Sequence, residues 1–330
     1  MKRFFFLAVA STAMLAACNK TEVVYNNDPQ EIAFNAVNKT AVKAPVDGVV
    51  FPTNDNMQVA AYLAQGDAGA GQITNGNYFA ATLFDYADGF WKGSRYWPLS
   101  ESIINFLAIS EPDPATPVTT VFDSAIPAAM AKVTLADNST AQYDLMYAAG
   151  QGHCKPGNYP NVDMVFKHAL SWIYFTVKTN VTGTGKITVN SITLNGAVYN
   201  GELTLTNDSY NVTSSYASAV ANVDAVWTPA STKKNVSVVS GPVLCGTTAL
   251  DFGNGLLVLP GDQTSFTINY TITHAADVAN TFNYTYTLPT GGEWEMAKKY
   301  IYNITLNLNE ILIDPEVADW VDVTSDITIQ

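Results

Sequence analysis

Cys18 is the residue whose setting points most directly to chemistry. Lys2 and Arg3 make a basic start, Phe4 to Ala10 an apolar stretch, and Leu15-Ala16-Ala17-Cys18 closes it. Basic region, apolar region and small-residue cleavage site, in that order, define a secretory signal peptide over residues 1–17. The ending resembles a bacterial lipobox, so the Cys18 thiol is expected to carry lipid, palmitate included, at the new N-terminus. The apolar run is too short to cross a bilayer, which takes about 20 residues. Lipid on Cys18 is therefore expected to be the only hold on a membrane.

The other residues able to do chemistry are sparse. Cys154 and Cys245 lie far apart in the sequence. Beyond the inner membrane an oxidising compartment permits a disulfide between them. Two separate buried thiols are equally open, because spacing does not fix the Cα separation. His153, His168 and His274 are too scattered for metal ligation, and there is no CxxC. His168 sits within an alternating segment and reads as a buried histidine with one backbone partner. Glu293 and Glu295 read as a solvated turn. Gly150-Gln151-Gly152 and Gly253-Asn254-Gly255 lack the Lys and helix that a phosphate cradle needs. No Ser, His and Asp set has a nucleophile elbow. Neither an enzyme nor a cofactor is expected. Acidic residues outnumber basic ones, 29 to 16, which argues against nucleic acid and fits an exposed, soluble body. Trp91 and Trp97, in Phe90 to Pro98, have two readings. They are core and hairpin packing, or they are exposed rings that stack on a sugar.

These residues must be positioned by strands. Period-two alternation dominates Ile187 to Leu194, Leu203 to Thr206, Val236 to Val239, Phe266 to Ile272 and Phe282 to Leu288. Thr, Val, Ile, Tyr and Phe fill these runs and suit a pleated surface. Turn signals separate them, among them Asn195-Gly196, Asn200-Gly201 and Pro260-Gly261-Asp262. Short strands so spaced predict antiparallel β-sandwiches. Looser strands are predicted over Met57 to Leu63, Tyr78 to Phe84, Ile103 to Ile109 and Val118 to Phe122, and a fresh one from Met164 to Val177. Ser124 to Val133 admits one short helix, limited by Pro127. The chain is long enough for two domains, and the Gly- and Pro-rich stretch from Gly150 to Asn161 is the expected boundary. Asn19 to Gln30 reads as a polar tether. Both ends of the remaining chain alternate. Ile32, Phe34 and Ala36 share one face, as do Val321, Val323, Ser325, Ile327 and Ile329.

Several segments, in order, resemble the fimbrillin family, the subunits of type V pili in the Bacteroidia. After the lipobox, Glu31 to Ala36 and then Lys39 to Ala44 resemble the family's first strand and maturation site. Tyr96-Trp97-Pro98, Tyr143 to Ala148, Val165 to Ser171, Lys298 to Leu306 and Ile311 to Trp320 follow in family order.

The resemblance implies an all-β fold of two transthyretin-like antiparallel β-sandwich domains in tandem. The expected divisions are signal peptide 1–17, tether 18–30, an N-terminal domain 31–158 with a removable first strand, and a C-terminal domain 159–330 ending in a donor strand. It implies export as a lipoprotein to the outer membrane and cleavage by a trypsin-like protease after Lys39 or Lys43. Assembly into a surface fimbria would follow by strand exchange, with other subunits as partners and adhesion to a host glycan or protein as the purpose. Ile32, Phe34 and Ala36 would leave a groove that Val321, Val323, Ile327 and Ile329 of a neighbour fill. Four such side chains supply roughly 6–12 kcal/mol gross, less the cost of association. Two alternatives stand beside this. Both terminal strands could pair within their own sandwich, or the chain could be a monomeric surface lipoprotein that binds glycan through exposed aromatics.

Overall fold

The computed structural model describes residues 29–36, 51, 53, 55–64, 73–111, 118–124, 126–183, 185–207, 218–221, 223–262, 265–274, 278–289, 293–307 and 311–319. The chain is all-β. It begins with β1 (Glu31–Ala36), β2 (Asn56–Ala64), β3 (Ile73–Ala87), β4 (Phe90–Tyr96), β5 (Ser102–Glu111), β6 (Val118–Phe122), β7 (Ala128–Thr134) and β8 (Met146–Cys154). Next come β9 (Val162–Met164), β10 (Lys167–His168), β11 (Ser171–Thr179), β12 (Lys186–Val198), β13 (Asn200–Thr206), β14 (Ser218–Ala221), β15 (Asp224–Pro229) and β16 (Lys233–Ser237). The last are β17 (Val243–Leu244), β18 (Leu250–Asp251), β19 (Leu256–Val258), β20 (Gly261–Asp262), β21 (Ser265–Thr273), β22 (Ala279–Thr287), β23 (Glu293–Trp294), β24 (Lys298–Leu306) and β25 (Ile311–Asp319). Among the described residues the one helical piece is a 3-10 turn at Ser139–Ala141.

Nine strands make one curved sheet, β10-β8-β5-β2-β3-β4-β1-β9, with β14 added along β8. Its ends approach each other: a Cβ on Gly150 of β8 would lie 2.9 Å from the Asp163 carbonyl oxygen of β9. The enclosed core holds Ile32, Phe34, Met57, Phe84, Trp91, Trp97, Phe106 and Met164. A second core lies behind β2, β5 and β8, where Tyr62, Leu107 and Tyr147 meet Ala131, Val133 and Leu203 of the sheet β15-β13-β7-β6. The third is a sandwich of β18-β11-β24-β25 on β16-β12-β21-β22, with β19 along β11 and β17 along β12. β11 and β24 run parallel over Trp172 to Thr179. Lys299 of β24 places its ammonium 3.6 Å from the Trp172 ring centroid, a cation–π contact. β20 and β23 form a small separate ladder.

Three local expectations meet a different outcome. Ser124 to Val133 contains no helix among its described residues; Ala128–Thr134 is β7, with Ala129, Ala131 and Val133 buried and Met130 and Lys132 outward. The period-two burial of small apolar residues outweighs helix propensity, and Pro127 precedes the strand, where its missing N–H does no harm. Asn195-Gly196 is not a turn. It lies inside β12, where the register to β16 shifts between Leu194 and Ala197 and Gly196 takes φ +63°. A left-handed glycine in a strand makes a bulge. Met164 to Val177 is not one strand: it takes in the end of β9, the two-residue β10 and most of the nine-residue β11.

Pairing also crosses residue 158. β9 pairs with β1, and β10 and β14 pair with β8. β12 passes into β13 through the single residue Tyr199, changing sheets as it does so.

β8 must pass close under Trp97. A Cβ on Gly152 would collide with the Trp97 ring, which is 2% exposed. Gly152→Ala is expected to lower stability by about 1–3 kcal/mol through overpacking, measured by urea unfolding.

Candidate functional site

Ile32, Phe34 and Ala36 alternate along β1 and all enter the same core. Ile32 and Phe34 are 0% exposed. Phe34 sits edge-to-face between two rings, with centroids 4.9 Å from Phe84 and 5.1 Å from Phe106. Such pairs add to the benefit of area burial. Trp97 packs on Phe106 at 5.9 Å, so the Tyr-Trp-Pro segment closes the end of the same pocket.

β1 is gripped along both edges. On one side it runs antiparallel to β4, with Phe34 opposite Trp91 and Glu31 opposite Tyr96. On the other it runs parallel to β9, with Phe34 opposite Val162 and Ala36 opposite Met164. Polar bonds fix the register. The Asn35 amide donates to Asp163 Oδ1 at 3.0 Å. The Ser94 N–H donates to Glu31 Oε1 at 2.9 Å, and the Trp97 N–H to the Gln30 carbonyl at 2.9 Å. Without β1 the sheet would be cut between β4 and β9. Both would expose backbone edges, and the rings of Phe84, Trp91 and Phe106 would border an open groove.

The structure brings Ile32, Phe34 and Ala36 together. Cys18, Lys39, Lys43, Val321, Val323, Ile327 and Ile329 lie outside the described residues. Sequence reasoning missed β9, the parallel neighbour. Val162–Met164 is too short for periodicity to stand out, and a parallel partner distant in sequence leaves no turn signal.

His168 has a different partner from the one expected. Its Nδ1 lies 3.0 Å from Asp144 Oδ2, with both side chains buried. Leucine and methionine follow Asp144 in the chain, and their backbone also binds this region: the Ala169 N–H donates to the Leu145 carbonyl at 2.8 Å, and His168 pairs with Met146. The two resemblance segments therefore fasten to each other. A buried carboxylate is the stronger partner because an isolated buried charge is costly.

Cys154 and Cys245 are free and buried, one in the β1 core and the other in the C-terminal sandwich. Burial pushes both thiols up to about 11. Trp91 and Trp97 are 1% and 2% exposed, so neither offers a face to a sugar ring; Trp91 Nε1 donates inward to the Asp55 carbonyl at 3.3 Å. Among the described residues no three His, Cys, Asp or Glu side chains are grouped to hold a metal ion. Within the same residues, no helix is long and apolar enough to cross a membrane.

Fold and site together define a class: an all-β structural protein of stacked sheets whose first strand is a core element. The chain belongs to the fimbrillin-like family, whose model matches residues 15–320. That family is one of structural fimbrial subunits, not enzymes, which places the chain at the cell surface among other fimbrial subunits. A crystal structure of a fimbrial protein from Bacteroides vulgatus is similar in fold at 14% identity and TM-score 0.56, covering 80% of this chain and 93% of that one. Candidate cell adhesion proteins from Bacteroides uniformis and Bacteroides ovatus match at 17% and 15% identity, each with TM-score 0.49 and covering 90% of this chain and 99% of theirs. No curated protein sequence matches the chain.

Phe34→Ala is expected to cost about 3–5 kcal/mol in urea unfolding, against about 1 kcal/mol for Asn35→Ala, which removes one partly exposed bond. Cys154 and Cys245 are expected to resist alkylation near neutral pH in the native protein, because a raised thiol carries little thiolate. Both should react once the protein is denatured, as read by peptide mapping.

Proposed function

We propose that this chain is a building subunit of a surface fimbria that joins its neighbours by strand exchange and serves adhesion. The chain arrives as a lipoprotein anchored through Cys18 to the outer membrane. A trypsin-like protease cuts after Lys39 or Lys43, and residues 31–36 leave with the lipid. The end of another subunit, with Val321, Val323, Ile327 and Ile329 on one face, enters the vacated groove.

One observation supports this above the rest: β1 is doubly paired and its side chains are core, yet it precedes every other strand among the described residues. A strand in mid-chain is tied at both ends. β1 is tied onward only through the segment that holds Lys39 and Lys43, so one cut there frees it. The groove left behind would have unpaired backbone on both sides, the condition that recruits an extended segment. Ile32 and Phe34 each contribute about 1.5–3 kcal/mol of burial, so a replacement must be similarly apolar. Laid in the same direction, Val321, Val323 and Ser325 would take the places of Ile32, Phe34 and Ala36. The one polar residue of the donor face then falls where β1 itself carries only a methyl group.

Treatment with a trypsin-like protease is expected to convert the purified chain to SDS-resistant ladders. The new N-terminus should read Thr40 or Ala44 by mass spectrometry. Deleting Asp322 to Gln330 is expected to abolish the ladders; ladders that survive this deletion would overturn the donor role.

A further inference from the structure

β22 is unlike the other sheet edges. It pairs with β21 over nine positions without a register shift, from Ser265↔Thr287 to Thr273↔Ala279. Among the described residues nothing pairs with its other side. Natural edges are blunted by charge, proline, bulges or brevity, because an open edge recruits another strand. Such devices mark several of the other edges here, and the uncharged edges β6 and β14 are shorter, at five and four residues. β16 begins Lys233-Lys234, β25 contains Pro315 and Glu316, β15 ends at Pro229, and β10, β17 and β18 are two residues long. β22 has nine residues with no charge, proline or glycine, and seven of them are exposed.

Its two faces are ordered but unfinished. Outward, Thr281 and Thr285 each lie 3.0 Å from a threonine hydroxyl of β21, Thr271 and Thr267. Between them Asn283 accepts from Asn269 at 2.7 Å. Toward the core, Phe282 stacks on Tyr270 at 5.6 Å yet is 42% exposed. Tyr284 and Tyr286 are half-buried, so the sandwich stays open beside this strand.

The sequence of the edge is symmetric in chemistry about Asn283: Thr281, Phe282, Asn283, Tyr284, Thr285. Antiparallel pairing of a strand with itself sets residues equidistant from the centre opposite one another. We propose that β22 pairs antiparallel with β22 of a second copy of the chain, on a two-fold axis through Asn283. Thr281 then faces the partner's Thr285, Asn283 faces the partner's Asn283, and Phe282 faces the partner's Tyr284. These are the same kinds of pair that β21 and β22 already make, so the ladder of threonine and asparagine continues unbroken across the axis. The aromatic pairs cover the open side of both sandwiches. An uncharged contact line also suits a chain whose net charge of −13 would otherwise keep copies apart.

This contact is isologous and closes at two copies. It lies in the C-terminal sandwich and uses neither β1 nor residues 320–330. It is therefore lateral, side to side, and independent of the end-to-end joint proposed above.

Sedimentation velocity of the purified, uncleaved full chain at rising concentration tests it. A reversible monomer–dimer equilibrium is expected. Asn283→Lys should abolish the dimer while lowering the thermal midpoint by no more than the loss of the one exposed bond to Asn269 allows. In a Cys18→Ser background, Asn283→Cys should give a covalent dimer on mild oxidation, since facing Cα atoms in an antiparallel pair fall within disulfide reach. Ala279→Cys, far from the axis, should not. A chain without residues 320–330 should still dimerise although it forms no ladders, which separates this contact from strand exchange. A chain that is monomeric at every concentration, a dimer indifferent to Asn283→Lys, or equal cross-linking at 279 and 283 would each overturn the proposal.

Discussion

The N-terminal sheet depends on one strand being held along both edges. β4 and β9 meet only through β1, which is antiparallel to one and parallel to the other. Backbone bonds on two sides and the Phe84–Phe34–Phe106 ring contacts act on the same six residues. That concentration makes residues 31–36 indispensable to the closed sheet, and the proposed exchange requires that they also be separable from it. A buried strand elsewhere in the chain would share the first property without the second.

The other two cores explain why such a strand does not imperil the whole molecule. The middle core is built by the back of β2, β5 and β8 against β7 and β13 and includes no residue of β1. Tyr199 carries the chain from β12 into β13, linking the middle sheet to the C-terminal sandwich. There a Cβ on Gly201 would lie 2.6 Å from Leu259 Cδ2, so the junction is close-packed. Strands from later in the chain return to the first sheet, β14 and β10 along β8 among them. Rigidity is thus distributed, and β1 serves only one of the three cores.

Much of this was legible because alternation reports burial directly. The runs at Ile187 to Leu194 and Phe266 to Ile272 became β12 and β21 with their apolar sides in one core. The face shared by Ile32, Phe34 and Ala36 was legible for the same reason. What escaped was set by partners distant in sequence. The carboxylate beside His168 lies on the strand-entry segment before β8, and nothing near the histidine announces it. Asn195-Gly196 has the composition of a hairpin turn, but β16 pairs with β12 on both sides of it, at Leu194 and Ala197, and β21 pairs up to Asn195, so it becomes a bulge within the strand. The Cys154 and Cys245 thiols could not be apportioned between cores by counting. Trp91 stands among exposed-looking polar neighbours, and the pairing of β4 with both β3 and β1 is what buries it.

The double pairing of β1 also bears on how the sheet carries load. A tug along a strand that has neighbours on both flanks stretches all of its lateral bonds at once, in shear. A tug across an edge strand peels the bonds away singly. For the same number of bonds the sheared arrangement survives greater force, since resistance to forced unfolding follows the rate of the whole rupture event. Whatever segment lies between β4 and β9 is therefore loaded in shear along both of its flanks.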